Sequence, residues 1–283
     1  MEELQNLITE HKIPVGLWSK AVITWLTDNF SWLFDAISSV LKSGIDGTAD
    51  GLLLLPPLIL LVIITALAHL IQRNWRITLF VALGLLFIMN IGLWKEMVET
   101  LVLVVYATLV SLLIGIPIGI LAARRKAVWQ AIAPILDMMQ TLPTFVYLVP
   151  MLALFGLGVV PGLFATVIFA VPAPIRLTYL GISQVPVALV EAGESFGSTR
   201  WQLLYRVKLP AALPTIMAGI TQCIMLSLSM VVIAALVGAG GLGAPTVRAL
   251  ATGNIPLGTE AGLAIVILAI ALDRLMKQRQ VKK

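Results

Sequence analysis

Few residues in this chain could do chemistry, and their spacing excludes most of it. The two histidines, His11 and His69, are far apart, and the single cysteine, Cys223, sits in an apolar run. That excludes an intrachain disulfide and a cysteine or histidine metal cluster. No Gly-x-x-x-x-Gly-Lys-Ser/Thr phosphate loop occurs, so ATP is not expected to bind this chain. Gly238-Ala239-Gly240-Gly241-Leu242-Gly243 contains a Gly-x-Gly-x-x-Gly spacing. Without a strand–turn–helix unit around it, a flexible turn fits better than a dinucleotide loop. Asp137 and Arg176 fall inside apolar runs, where an ionisable group is costly unless paired or functional. An ion pair between them is the favoured expectation; contact with a zwitterionic solute is the second reading. The remaining polar feature is an island from Glu191 to Pro210, set between long apolar stretches.

The elements around these residues are those of a membrane protein. The sequence is 59% hydrophobic and 12% charged, with a mean hydropathy of +1.01, and charged residues are about half as frequent as in soluble domains. Apolar runs of spanning length are expected at about 52–71, 77–93, 97–122, 130–155, 159–181, 212–237 and 260–276. The run at 159–181 carries Pro172, Pro174 and Arg176 and is the least regular. Before them, Trp18, Val22, Trp25, Leu26, Leu33, Ile37 and Val40 recur at helical spacing. They predict an amphipathic helix over about 15–41, lying in the interface or packed on the protein surface. Residues 1–14 carry Glu2, Glu3 and Glu10 and no apolar stretch, so no cleavable signal peptide is expected.

Charge placement sets an expected orientation. The links at 72–76, 123–129 and 182–211 and the tail after 273 hold 13 of the 19 lysines and arginines, and alternation puts all four on one side. The positive-inside rule makes that side cytoplasmic, with the N-terminus outside and the C-terminus inside. The net charge of +5 therefore reads as topology, and no nucleic-acid partner is expected. Trp75, Trp94 and Trp129 stand at expected span ends, where an aromatic belt would place them. The divisions expected are an external segment 1–50, two accessory spans over 51–96, a core over 97–276 with a cytoplasmic loop at 183–210, and a basic tail at 277–283.

The polar island predicts two short helices. Pro186 suits a helix start, Gly197 a left-handed end, Thr199 with Gln202 a capping box, and Leu209-Pro210 a stop. Ala192, Gly193 and Gly197 would leave a small-residue surface that another protein could approach.

Here the sequence resembles a known family. Integral membrane subunits of type I ABC importers carry Glu-Ala-Ala, three residues, Gly, nine residues, then Ile-x-Leu-Pro. This chain reads Glu191-Ala192-Gly193, three residues, Gly197, nine residues, Val207-Lys208-Leu209-Pro210. The spacing matches throughout, with Gly193 and Val207 as the two departures. Pro134 to Pro143, Phe145 to Leu148, Gly181 to Pro186 and Met230 to Ala235 are similar to permeases of glycine betaine/proline betaine uptake systems.

The resemblance implies an all-α polytopic permease of the bacterial cytoplasmic membrane, working as a pair of copies with two cytoplasmic ATPase subunits and an external binding protein, soluble or lipid-anchored. ATP and magnesium would sit on the ATPase, and the permease would hold no cofactor and no metal. Glu191, Ala192, Gly193, Gly197, Leu209 and Pro210 would form the ATPase-coupling site. Because the chain ends at Lys283, the binding protein would be a separate chain. A quaternary ammonium is held best by aromatic faces; Phe145, Tyr147, Phe155, Phe164 and Phe169 are available in the spans, and only Gln140 and Tyr147 are suggested as path residues. Choline or carnitine could replace betaine as cargo. Two rivals stand further off. An ion-coupled transporter would need paired repeats and midplane ligands. An intramembrane enzyme would need a nucleophile–base or metal cluster.

Overall fold

The computed structural model describes residues 14–276. The expected tail at 277–283, and residues 1–13 of the expected external segment, lie outside them. Among the described residues every regular element is helical, as apolar backbone in a membrane requires.

Helix α1 (Val15–Leu53) covers the expected amphipathic helix and runs on to Leu53, kinked where Phe30 leaves helical geometry (φ −127°, ψ 19°). The extension defies its composition: Gly44, Gly47 and Gly51 are poor helix formers. Packing overrides propensity there. Ile45 and Ala49 bury one turn apart against Leu103 and Ala107, and the Tyr106 hydroxyl donates to the Gly44 carbonyl at 3.0 Å. The first part of α1 leaves Trp18, Trp25 and Trp32 exposed.

Pro56-Pro57 then breaks the chain. Helix α2 (Pro57–Gln72) meets α1 at 103°, so an α2 that crosses a bilayer leaves α1 close to the membrane plane. Helix α3 (Trp75–Asn90) is a shorter apolar helix packed on α2. Helix α4 (Trp94–Arg124) is 31 residues long, about 46 Å at 1.5 Å per residue. Trp94 is buried in the core at its start, not in an outer belt, whereas Trp75 is exposed. Trp129 stacks on Tyr179 with ring centroids 3.7 Å apart.

The expected span at 130–155 is not one rod. Helix α5 (Lys126–Thr141) and helix α6 (Thr144–Phe155) meet at 98°. Pro143 lacks an N–H and Leu142 before it is extended (φ −66°, ψ 136°), as a pre-proline residue prefers.

The run at 159–181 behaves in the opposite way. Helix α7 (Val159–Ala170) and helix α8 (Pro172–Ser183) act as one 25-residue span, the most enclosed in the structure. Pro172 falls on the first residue of α8, where its missing N–H costs little. The span is held by close approach: a β-carbon on Gly119 of α4 would stand 2.6 Å from Thr178 Cβ.

After the polar island, helix α11 (Leu209–Ala235) packs on α4, α7 and α8 and completes the core. The link expected at 238–259 contains helix α12 (Gly243–Thr252), and helix α13 (Ile255–Met276) begins before the expected residue 260. Among the described residues four helices are long and apolar enough to cross a membrane, six spans if each bent pair counts as one.

Candidate functional site

The polar island folds as a helical elbow. Helix α9 (Val187–Ser195) follows Pro186, whose ψ of 132° turns the chain into it. It ends in a Schellman motif: Gly197 takes φ +74°, its N–H donates to the Glu194 carbonyl at 2.8 Å, and the Ser198 N–H donates to the Gly193 carbonyl at 3.1 Å. Helix α10 (Arg200–Leu203) opens with both bonds of a capping box. The Thr199 N–H donates to the Gln202 side-chain oxygen at 2.8 Å, and the Gln202 N–H donates to the Thr199 hydroxyl at 3.3 Å.

The stop expected at Leu209-Pro210 is absent. A widened π turn over Leu204–Lys208 joins α10 to α11. In α geometry the Pro210 ring would strike the Arg206 carbonyl. The wider turn relieves that, and the Leu209 N–H donates to the Leu204 carbonyl five residues back. The elbow therefore continues as one 36-residue rod, Arg200–Ala235, into the core. Its root is packed: Ile182, Leu204, Ala212 and Ile216 are buried together, with Ile116 and Ile120 of α4 against them.

Helix α9 itself has no buried residue, and Phe196 just beyond it is 91% exposed. Glu191, Ala192 and Gly197 face solvent. Gly193 does not belong to that open surface. A β-carbon there would stand 2.7 Å from Leu203 Cδ1 and 3.3 Å from Val207 Cγ2, so Gly193 lets α9 close onto the second arm of the elbow.

The other expected residues fall elsewhere. Arg176 Nη2 of α8 lies 2.5 Å from Asp137 Oδ1 of α5, as the pairing expectation requires, with 35% and 65% of the two side chains exposed. Gln140 is exposed near the end of α5. Tyr147 is buried beside Ala165 and Met230, and its hydroxyl donates to the Met139 carbonyl across the α5–α6 bend. Phe155 stacks on Phe164 at 4.5 Å and meets Phe34 edge-on at 5.5 Å.

The glycine run at 238–243 is pinned at the opposite end of α4 from the elbow. The Gly241 N–H donates to Glu99 Oε2 at 2.7 Å, and the Leu242 N–H to the Thr100 hydroxyl at 2.8 Å. Gly238 and Gly241 take φ +90° and +77°. The run is a fastened turn, not a flexible one. Sequence reading missed Glu99 and Thr100; a carboxylate early in an otherwise apolar helix was the available signal.

The elbow and its surrounding helices match known proteins. The pattern of the family described as "binding-protein-dependent transport system inner membrane component" matches residues 115–277, from the middle of α4 through the elbow and beyond α13. The chain belongs to this family. In two relatives of the permease, similarity runs nearly end to end. The glycine betaine transport system permease protein of Bacillus subtilis (strain 168) is 47% identical over 272 residues, 96% of each chain. The glycine betaine/carnitine transport permease protein of Listeria monocytogenes is 46% identical over 266 residues, 93% of this chain and 94% of its own. Among solved structures, an inward-facing form of the MetNI methionine ABC transporter superposes with a TM-score of 0.60, covering 65% of this chain and 92% of that one. At 23% identity that likeness speaks for the fold alone. The permease is thus an inner-membrane component of a binding-protein-dependent transport system, with a fold shared with that solved ABC transporter chain.

Proposed function

We propose that this permease carries glycine betaine inward by alternating access, driven by a separate cytoplasmic ATPase acting on the elbow. The observation that carries the reading is α9: an exposed helix with the Glu191-Ala192-Gly193 signature, joined through the π turn to a rod that enters the core. Nine residues are too few for a helix to hold itself together in water. This one is fastened by its Schellman end and by Gly193 against Leu203, which lets it move as a unit with α11. Closure of an ATPase dimer on two copies of the permease would bias them from an inward to an outward state through differential contacts on α9. In this scheme ATP and magnesium belong to the ATPase.

Cargo rests on the relatives, both of whose names include glycine betaine; carnitine is the second reading, from the Listeria relative. In this scheme the basic links face the cytoplasm, so the N-terminus lies outside and the C-terminus inside, and an external binding protein delivers the solute. Co-purification from the native membrane, followed by ligand titration of the accompanying binding protein, tests the scheme. Recovery of an ATPase and a betaine-binding protein supports it; recovery of the permease with neither contradicts it.

A further inference from the structure

A second feature of the elbow lies behind α9, between it and the end of α4. A cavity of about 540 Å³ opens there, and five of its lining side chains are charged: Arg124, Arg125, Arg200, Lys208 and Glu194. The four cations come from three separate elements, the end of α4, the start of α10 and the π turn. Positive-inside topology explains why cations occur on these links. It does not explain why they converge on one concavity without a carboxylate to pair with. None of the four makes an ion pair within 4 Å among the described residues, Glu194 on the same wall included.

The rest of the cavity is ordered. Arg124 lies over the Trp201 ring at 4.3 Å to the centroid, a cation–π contact that fixes the guanidinium in place. Leu203 and Leu204 form part of the floor and are themselves buried. Four cations around an apolar floor repel one another when the cavity holds only water. A doubly or singly charged oxyanion relieves that repulsion, and arginine's planar fork matches phosphate oxygens.

We infer that this cavity is a phosphate site, taking either the phosphodiester of an anionic lipid headgroup or a free phosphate. The apolar floor suits a headgroup entering with the first part of its glycerol backbone. The cavity lies against the α9 wall that carries Glu194, so its occupant would stiffen the elbow from behind. The inference rests on the charges and the cavity, and it stands whether or not α9 meets an ATPase.

The test uses the full chain. Detergent-purified protein is dialysed against labelled inorganic phosphate. The same protein in nanodiscs of phosphatidylcholine, with and without phosphatidylglycerol, is examined by native mass spectrometry for retained lipid. Phosphatidylglycerol retention over phosphatidylcholine identifies the lipid source; saturable inorganic phosphate binding identifies the soluble source. In either case Arg125→Gln with Lys208→Gln weakens binding about tenfold, because both groups are partly exposed. Glu194→Gln, which removes the one carboxylate, tightens it. Neither probe binding, binding unchanged in the double variant, or Glu194→Gln weakening binding overturns the inference. Because the two variants move affinity in opposite directions, a folding defect cannot imitate the expected pair of results.

Discussion

Gly193 of α9 and Leu203 of α10 close the elbow on itself: a β-carbon on Gly193 would stand 2.7 Å from Leu203 Cδ1. The obstacle is the mobile tip of a leucine, so Gly193→Ala is accommodated by a small rotation. The helix gains about 0.5–1 kcal/mol from the replacement. Substrate-stimulated ATP hydrolysis of the assembled complex should stay within about twofold of the parent. Gly193→Leu has no such room and should splay α9 from the π turn, with loss of stimulation. Equal activity in both variants would refute a packing role for Gly193.

Gly197 is governed by backbone conformation instead of space. Nothing lies within 4 Å of where its β-carbon would be, yet φ is +74°. A branched residue there costs about 1–2 kcal/mol, and asparagine costs less because it tolerates the left-handed region. Gly197→Val should leave the permease inserted and uncouple ATP hydrolysis from substrate, while Gly197→Asn retains partial coupling. Proteolysis of the elbow gives the independent readout: faster cleavage is expected in the valine variant than in the asparagine one.

The Asp137–Arg176 pair joins the bent α5 to the most enclosed span. With both side chains partly exposed, its coupling energy is under about 1 kcal/mol. Each single neutralisation, Asp137→Asn or Arg176→Gln, strands the other charge. The double variant should transport better than its worse parent. A double variant no better than that parent would mean the residues act separately, for example on the solute.

Tyr147 braces the α5–α6 bend through its hydroxyl on the Met139 carbonyl. Tyr147→Phe keeps the ring and loses one hydrogen bond, worth about 1 kcal/mol. Tyr147→Ala empties a buried site and costs about 3–5 kcal/mol. Thermal unfolding of the detergent-solubilised chain should rank parent, phenylalanine and alanine in that order. A phenylalanine variant that unfolds like the parent but no longer transports would make Tyr147 a path residue.

Much of this was legible in residue types. Hydropathy gave the helical membrane class, and Gly197, Thr199 and Gln202 announced the elbow's ends because capping is local chemistry. Asp137 and Arg176 were legible as a pair because two opposite charges in apolar runs have few other partners. What failed was tertiary. Proline alone does not say whether a helix bends: Pro143 turns the chain by 98°, whereas Pro172 and Pro210 are absorbed, one at a helix start and one by a π turn. The glycine-bearing end of α1 stays helical because Ile45 and Ala49 find a core. The glycines at 238–243 are held by Glu99 and Thr100, more than 130 residues away in sequence. Gly193 looked like open surface because nothing local reveals Leu203 across the elbow.

Ala192 offers the most direct test of the central claim. It is exposed on α9, so Ala192→Trp should leave the fold and thermal unfolding unchanged and disturb only what seats on the helix. The measurement is uptake of labelled glycine betaine into proteoliposomes holding the permease, its ATPase and its binding protein, with ATP supplied and ion gradients collapsed. The account predicts accumulation by the parent and none by the Ala192→Trp variant. Uptake by the parent that stops when the gradients collapse, or normal ATP-driven uptake by the variant, would contradict it.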